Sequence, residues 1–410
     1  MAARAIEQRF NADTSDYVGP TLPCSCGLSA RYAGRRYKTF DSALGPMALG
    51  RAYYHCEPCH EGFYPRDRAL GLEDESLSPG VLRMVGQVGA MVSFEEGREL
   101  LHDLAGVNLT TKHVERASEA LRREIDADER CVVETLPEDD EPVAPTMYLG
   151  MDGTGVPMRK SEIEGRVGKQ PDDSSKTREV KLCTIWSAES RDEEGTPVRD
   201  AGSVTYSAAI ESAASRDTDE LPPEFAQRVV REATRRGFDR AKRRVVIGDG
   251  ARWIWSIANE HFPGAIQIVD LYHAKEHLWN VAKSVYGAGS DLGAQWAKRR
   301  RDELDNGDLD AILTALQVHA ETNDEARKCL DYISRNRHRM DYPQFRAQSL
   351  CVGSGVVEAG CRVAIGTRLK RPGMHWTVDG ANAIIALRSY KLSGRFDDFW
   401  VRRTAITSRG

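Results

Sequence analysis

The spacing of apolar residues changes along the chain and divides it into segments of different predicted structure. Apolar and polar residues alternate at residues 31–40 and 50–55, which predicts short strands. From about residue 78 to 130 the apolar positions recur every three or four residues, which predicts helices. The two clearest helical stripes are Phe94, Gly97, Leu101, Leu104 and Ala105, and then Val114, Ala117, Leu121 and Ile125.

A short glycine-containing turn at residues 106–109 separates these stripes, and Thr110 and Thr111 supply a helix cap. Helix, turn and capped helix is the pattern of a helix-turn-helix, and also that of a helical hairpin used for packing or dimerisation. In the first case Lys112, His113 and Arg116 are the candidates for contact with DNA.

From residue 147 onward the chain begins with strands and then alternates strands with helices. This order fits the mixed sheet of an RNase H-like fold. Residues 278 to about 342 are helical and charged without strand signals, which predicts an all-α insertion. The predicted strands lie at residues 147–151, 180–186, 203–206, 244–248 and 265–269.

Two close cysteine pairs flank the strands predicted near the N-terminus: Cys24 and Cys26 before them, Cys56 and Cys59 after them. Tetrahedral Zn²⁺ takes four thiolates, and each close pair supplies two of them from one tight turn. The four cysteines therefore predict a zinc ribbon with one structural Zn²⁺. The alternative is a metal-free ribbon held together by its aromatic residues.

Three acidic residues have the sequence surroundings of a metal-dependent nuclease core. Asp152 and Asp249 each follow a short apolar run, where a strand is expected to end, and Glu358 opens a segment of helical character. Carboxylates just past two neighbouring strands, with a third on a nearby helix, can converge on one or two Mg²⁺ or Mn²⁺ ions for phosphoryl transfer. Each also has an ordinary alternative, because an Asp-Gly pair is a common turn and a helical Glu is commonly solvated.

These segments together predict a multidomain α+β protein. Its N-terminal part is a flexible arm, a zinc ribbon, a helix-turn-helix and a linker, at residues 1–20, 21–66, 75–130 and 131–145. The rest is an RNase H-like α/β catalytic core interrupted by the all-α insertion. The core occupies residues 146–277 and 346–391, the insertion 278–345 and a basic tail 392–410.

Composition narrows the class of protein. The net charge is only −5, so contact with nucleic acid depends on local basic patches. One such patch follows Glu358, where cations beside a nuclease centre would neutralise DNA phosphates, although a charged run is ordinarily solvated surface. It comprises Arg362, Arg368, Lys370 and Arg371. No apolar run approaches the roughly 18 residues of a membrane span, so we expect a cytoplasmic protein without a membrane partner.

Three blocks of sequence occur in a diagnostic order. The first joins Pro23-Cys-Ser-Cys-Gly27 to Arg51-Ala-Tyr-Tyr-His-Cys-Glu-Pro-Cys59. The second runs from Gly248 to His273 and the third from Gly353 to Trp376. In this combination they resemble the DDE transposases of bacterial insertion sequences, specifically the ISKra family, which is related to the Mutator-like group. The resemblance covers about residues 21–391.

The resemblance implies that Asp152, Asp249 and Glu358 form the metal-binding triad of a transposase. It also implies that Asp270 and His273 form an Asp-x-x-His pair near the active site, whereas a helix cap is the structural alternative for both. Such an enzyme binds the terminal inverted repeats of its element, cleaves the strand ends and joins them to target DNA. The implied partners are double-stranded DNA and further copies of the chain, in a bacterial or archaeal cytoplasm at the nucleoid.

Two other functions fit the same residues. One is a non-catalytic DNA-binding regulator or domesticated relative that uses only the ribbon and the helix-turn-helix. The other is a nuclease of the same fold that performs no strand transfer. The intact acids disfavour the regulator, because binding alone does not need them, and only the resemblance separates a transposase from a nuclease.

Overall fold

A computed structural model describes residues 2–73, 76–134, 142–168, 170, 174–213 and 222–407. The chain divides into two compact units, the first comprising Met1–Asp128 and Ala386–Gly410 and the second Glu129–Ile385. The described part is mixed α+β. No helix in it is both long and apolar enough to cross a membrane.

The first unit contains a four-stranded antiparallel sheet in which sequence neighbours pair. Its middle strands form a longer hairpin than the alternation predicts, and Ala30, Ala52 and Tyr54 are fully buried beneath the cysteine pairs. The strands are β1 Thr21–Pro23, β2 Ser29–Ser42, β3 Gly45–His55 and β4 Gly62–Phe63.

The segment expected to be a flexible arm begins with helix α1, Ala2–Ala12. The Asn11 side chain donates to the carbonyl of Ala48 at 2.9 Å and accepts from the N–H of Gly50 at 2.7 Å, so it covers the free edge of β3. Asp16 is 8% exposed and pairs with Arg35 and Arg66. The expectation of a flexible arm was wrong because polar side chains attach this segment to the sheet. Polar contacts of this kind produce no periodic pattern of apolar residues in the sequence.

Four further helices follow the sheet: α2 Pro65–Leu70, α3 Pro79–Met91, α4 Phe94–Ala105 and α5 Thr111–Glu134. Gly106 ends α4 in the left-handed conformation, with φ 65°, and Thr110 Oγ1 accepts from the N–H of His113 at the start of α5. The predicted stripe of α5 is buried throughout, whereas Leu104 of α4 is 82% exposed. Since α5 runs to Glu134, part of the predicted linker is helical; residues 135–141 lie outside the described part.

The second unit is built on a five-stranded mixed sheet. Its first three strands are antiparallel, and the last two run parallel to the first. The strands are β5 Thr146–Pro157, β6 Thr177–Ser187, β9 Thr205–Ala209, β10 Arg243–Gly248 and β11 Ile266–Val269, and the short pair β7 Ser190–Arg191 and β8 Pro197–Val198 forms a separate hairpin. Numbered along the chain, the five strands lie in the order 3-2-1-4-5.

Helices make up most of the rest of the chain, and the segment predicted to be all-α contains only helices and turns. The α-helices are α6 Glu224–Arg235, α7 Arg252–His261, α8 Leu271–Tyr286, α9 Asp291–Asp305, α10 Leu309–Ala320, α11 Asp324–Asn336, α12 Tyr342–Ala347, α13 Gly355–Gly360, α14 Thr367–Leu369, α15 Val378–Leu392 and α16 Phe396–Thr407. A π-helical turn, Cys361–Gly366, joins α13 to α14. Short 3₁₀ turns lie at Lys160–Glu162, Phe238–Arg240 and Arg337–Arg339.

The predicted basic tail instead forms α16, which belongs to the first unit. Phe396, Phe399 and Trp400 are buried, and Arg402 makes two bonds of 2.7 Å to the carboxylate of Asp128. These aromatic residues recur at helical spacing, which is why part of the predicted tail forms a packed helix of that unit.

Candidate active site and metal centre

The four predicted zinc ligands meet at one end of the first unit's sheet. The Sγ atoms of Cys24 and Cys59 are 3.6 Å apart, as are those of Cys26 and Cys56. All four lie within 4.8 Å of one another. A tetrahedral Zn²⁺ with Zn–S bonds of about 2.3 Å sets its sulfurs about 3.8 Å apart. The cluster can therefore hold a metal ion such as zinc, in the way the cysteine spacing predicted.

The predicted acids of the second unit meet in one cleft of about 330 Å³. Asp249 follows the end of β10, Asp270 follows β11, and Glu358 lies on α13. Asp152 was expected just past a strand end, but it lies inside β5, opposite Leu182, because that strand continues to Pro157. The acid cleft is lined by Met151, Asp152, Asp249, Asp270, Tyr272, His273, Glu276, Ser354, Gly355 and Glu358.

Asp152 is held on both of its oxygens. Oδ1 accepts from the N–H of Gly153 at 2.6 Å, and Oδ2 accepts from the thiol of Cys361 at 3.3 Å. Burial raises the pKa of the Cys361 thiol, which keeps it a donor. Burial also raises the pKa of Asp152, and the negative charge of Asp249 adds to that effect. The cleft thus concentrates negative charge that a cation would neutralise.

Glycines explain how Glu358 reaches the same cleft. A Cβ on Gly150 would lie 2.1 Å from Val357, and one on Gly360 would lie 2.9 Å from Leu182. The absence of side chains at these two positions lets α13 lie directly against β5 and β6. Glu358 itself is exposed, and no hydrogen-bond partner for its carboxylate occurs among the described residues.

Asp270 is 4% exposed, and backbone N–H groups bind both of its carboxylate oxygens. Oδ1 accepts from the N–H of His273 at 2.6 Å, which caps α8, and Oδ2 accepts from the N–H of Ser354. Ser354 is the residue before the helix that carries Glu358. Asp270 therefore fastens the start of that helix to the end of β11, in addition to lining the cleft.

His273 takes part in a cluster of aromatic rings that the sequence did not indicate. Its ring centroid is 4.8 Å from that of His277, which in turn is 4.3 Å from the ring of Tyr332. Burial lowers the pKa of His277, and the neighbouring His273 lowers it further. The spacing of one helical turn between the two histidines was the available signal for His277.

Two tyrosines of the helical segment support the ends of the acid-bearing strands. The hydroxyl of Tyr332 donates to the carbonyl of Asp249 at 2.9 Å, and that of Tyr342 donates to the carbonyl of Val269 at 3.1 Å. The Tyr332 ring lies so close to Gly250 that a Cβ there would be 2.4 Å away, and Gly250 has a φ of +98°. The turn after Asp249 thus depends on a glycine and on a distant helix.

The basic cluster after Glu358 divides into exposed and buried members. Arg362 and Lys370 are exposed, and Lys370 Nζ donates to Thr154 Oγ1; Arg371 is half-buried. Arg368 is fully buried, with its guanidinium 5.2 Å from the ring centroid of Trp376. The expectation that Arg368 contacts DNA was therefore wrong, because its charge faces the protein interior.

The candidates on the helix-turn-helix lie in the first unit at the start of α5. Lys112 and Arg116 are exposed, and Lys112 pairs with Glu115 at 2.8 Å. His113 is half-buried, and its Nε2 lies 3.2 Å from the hydroxyl of Ser76. The side chains of Lys112 and Arg116 are thus accessible to a binding partner, and that of His113 is partly covered.

The donor set of the acid cleft fits Mg²⁺ or Mn²⁺, because these ions take carboxylate oxygens as ligands. Asp152, Asp249 and Glu358 are the residues that would hold them. Within the described residues, the four cysteines are the one group of three or more His, Cys, Asp or Glu side chains placed closely enough to hold a metal ion as they stand.

Comparison with known proteins adds little to this geometry. No family model matches the chain, and no curated protein matches it. Among solved structures, the chain is similar to the Drosophila P element transposase strand transfer complex, with 10% identity over 84% of this chain and 86% of that chain. A TM-score of 0.26 is too low for this likeness to assign a fold or a function. Membership of the ISKra family therefore remains a prediction.

Proposed function

We propose that the protein is a DDE transposase of the ISKra kind, which cleaves and joins DNA strands with Mg²⁺ or Mn²⁺ held by Asp152, Asp249 and Glu358. The observation that carries this proposal is the presence of these three carboxylates in one cleft. They come from β5, from the turn after β10 and from α13, three elements that are distant in sequence. An RNase H-like core is supported by the sheet order 3-2-1-4-5, with Asp152 on the central strand.

The chain's own residues provide the remaining parts of such a reaction. Bound ions would activate a water or hydroxyl and stabilise the leaving oxygen. The N–H of Gly153 and the thiol of Cys361 orient Asp152. Arg362 and Lys370, both exposed, would meet phosphates, and His273 on the wall of the cleft would position the strand.

The first test is cleavage of labelled duplexes copied from the DNA on either side of the gene, in the presence of Mg²⁺. Asp152→Asn, Asp249→Asn and Glu358→Gln should each abolish cleavage and leave binding intact, because each keeps the shape of the side chain and removes a negative ligand. Glu260→Gln, an exposed acid on α7, is the matched control. A triad variant that cleaves within about tenfold of the parent contradicts the assignment of that residue.

A second assay separates a transposase from a nuclease of the same fold. Pre-cleaved ends are incubated with the protein, Mg²⁺ and a plasmid target, and joined products are counted. Joining that depends on the three acids supports strand transfer. Cleavage without joining identifies a nuclease instead.

A further inference from the structure

A second cleft adjoins the acid cleft, and we infer that it holds an unpaired nucleotide of the DNA strand next to the scissile bond. This side pocket has a volume of about 530 Å³ and shares Tyr272 and Gly355 with the acid cleft. A strand lying in one cleft can therefore continue into the other. The inference rests on the proposed function, because cleavage in the acid cleft is what identifies the ligand as DNA.

Tyr272 supplies a platform at the boundary between the two clefts. Its side chain is 69% exposed although it immediately follows the buried Leu271 at the start of α8. A Cβ on Gly353 would lie 2.7 Å from its ring, so the ring rests directly on backbone while most of its surface stays open. An exposed aromatic ring can stack on a nucleobase. Inside a duplex, neighbouring bases cover both faces of each base, so an unpaired base offers this ring a face that an internal base pair does not.

The walls of the side pocket combine apolar surface with a few polar groups, as ligand pockets generally do. Arg199 is exposed, and Arg346 lines the pocket while it also pairs with Asp305 at 2.8 Å. The carboxylate of Glu194 lies on the same wall, which places a phosphate nearer to the two arginines. The apolar side chains are Pro197, Val198, Leu350, Val352 and Val356.

Trp186 carries a donor that is unpaired within the described part of the chain, and it belongs to the wall of the side pocket. It lines the side pocket and is only 1% exposed, and its indole N–H has no hydrogen-bond partner among the described residues. Buried donors are almost always paired. Nucleobases carry carbonyl and ring-nitrogen acceptors, which are groups that an indole donor binds.

The test uses two duplexes, one blunt and one with a short single-stranded dT extension that contains 2-aminopurine. Affinity and fluorescence are measured without divalent metal for the parent, Tyr272→Ala and Tyr272→Phe. Trp279→Ala is the matched control, since Trp279 is an exposed aromatic residue on the same helix and lines neither cleft. Melting temperatures confirm that each variant is folded.

We expect the extended duplex to bind the parent more tightly than the blunt one, with quenched 2-aminopurine fluorescence. Tyr272→Ala should lower affinity for the extended duplex by roughly 5- to 140-fold and restore the fluorescence, because base stacking is lost. Tyr272→Phe should behave as the parent. Arg199→Gln should reduce the slope of log affinity against log salt by about 0.7, the value for one contact to a single strand.

Three results would overturn the inference: equal binding of the two duplexes by the parent, equal losses in Tyr272→Ala and Trp279→Ala, or a Tyr272→Phe variant as weak as Tyr272→Ala. These measurements need no cleavage. If Asp249→Asn still cleaves, the proposed function fails while the pocket is tested separately. If cleavage depends on the triad but the extension has no effect, only the pocket assignment fails.

Discussion

The Asp270→Asn substitution tests whether the carboxylate of Asp270 supports the structure of the acid cleft or binds a metal ion there. In the parent, Oδ1 of Asp270 accepts from the N–H of His273 and Oδ2 accepts from the N–H of Ser354. Asparagine keeps one oxygen, which still caps α8, but its amide group is a donor that faces a second donor at Ser354. One hydrogen bond to a charged group is lost, and the start of the helix bearing Glu358 is released.

A buried hydrogen bond to a charged group contributes about 1.5–3 kcal/mol to stability. The second unit spans residues 129–385. For a unit of this size, about 1 kcal/mol moves the melting temperature by about 2–4 °C, so the loss corresponds to a decrease of roughly 3–12 °C. Asp249→Asn is the matched comparison: its oxygen keeps the bond from the N–H of Ala251, and a negative charge leaves the cleft. Its melting temperature should therefore stay unchanged or rise.

Differential scanning calorimetry and DNA cleavage on the same preparations measure both effects. We expect Asp270→Asn to melt lower and to retain measurable cleavage per folded molecule, since the carboxylate acts through Ser354. An Asp270→Asn protein that melts as the parent does, but is as inactive as Asp249→Asn, would refute this reasoning. It would identify Asp270 as a metal ligand.

Further outcomes are expected for four changes. Replacing both Cys56 and Cys59 by Ser should remove one Zn²⁺ per chain, unfold the first unit's sheet and weaken DNA binding more than cleavage of short pre-assembled substrates; purified parent protein without zinc by metal analysis contradicts this. His273→Ala should lower cleavage by roughly 10²-fold, and a destabilised variant with normal activity per folded molecule would show a packing role instead. Tyr332→Phe should cost about 1 kcal/mol of stability through one lost hydrogen bond. Gly250→Ala should cost more, because its Cβ would lie 2.4 Å from the Tyr332 ring at a φ of +98°, so equal melting temperatures for these two variants would contradict the described turn.

Local patterns along the chain were enough to predict the sheet of the second unit and the meeting of its acids. The apolar run predicted at residues 244–248 is strand β10, Arg243–Gly248, and the carboxyl ends of the parallel strands β10 and β11 lie side by side. Asp249 and Asp270 emerge there, so their proximity follows from strand pairing. The length of β5 was not predictable in the same way, because its outer half, from Asp152 to Pro157, is largely polar or glycine.

Contacts between residues that are far apart in the sequence could not be predicted, because no local sequence pattern indicates them. Tyr332 is 83 residues from the carbonyl it binds, and Tyr342 is 73 residues from its own. Arg368 follows the same rule, since its burial depends on the ring of Trp376 and no pattern in the surrounding charges distinguishes it from Lys370. The arm at residues 1–20 was misjudged for a related reason: Asn11 and Asp16 bind backbone and arginine groups that lie more than a dozen residues further along the chain.

The division of the first unit between two parts of the chain has a consequence for its synthesis. Residues 129–385 must be made before α16 can deliver its aromatic side chains to the helices that precede residue 128. At about 5–20 residues per second, translation of that stretch takes roughly 13–50 s. The sheet that carries the four cysteines and the exposed side chains of α5 therefore leave the ribosome long before α16 can complete the first unit. During this interval the apolar surface that α16 later covers is accessible to chaperones, and the cysteines can react with any zinc or oxidant in the cell.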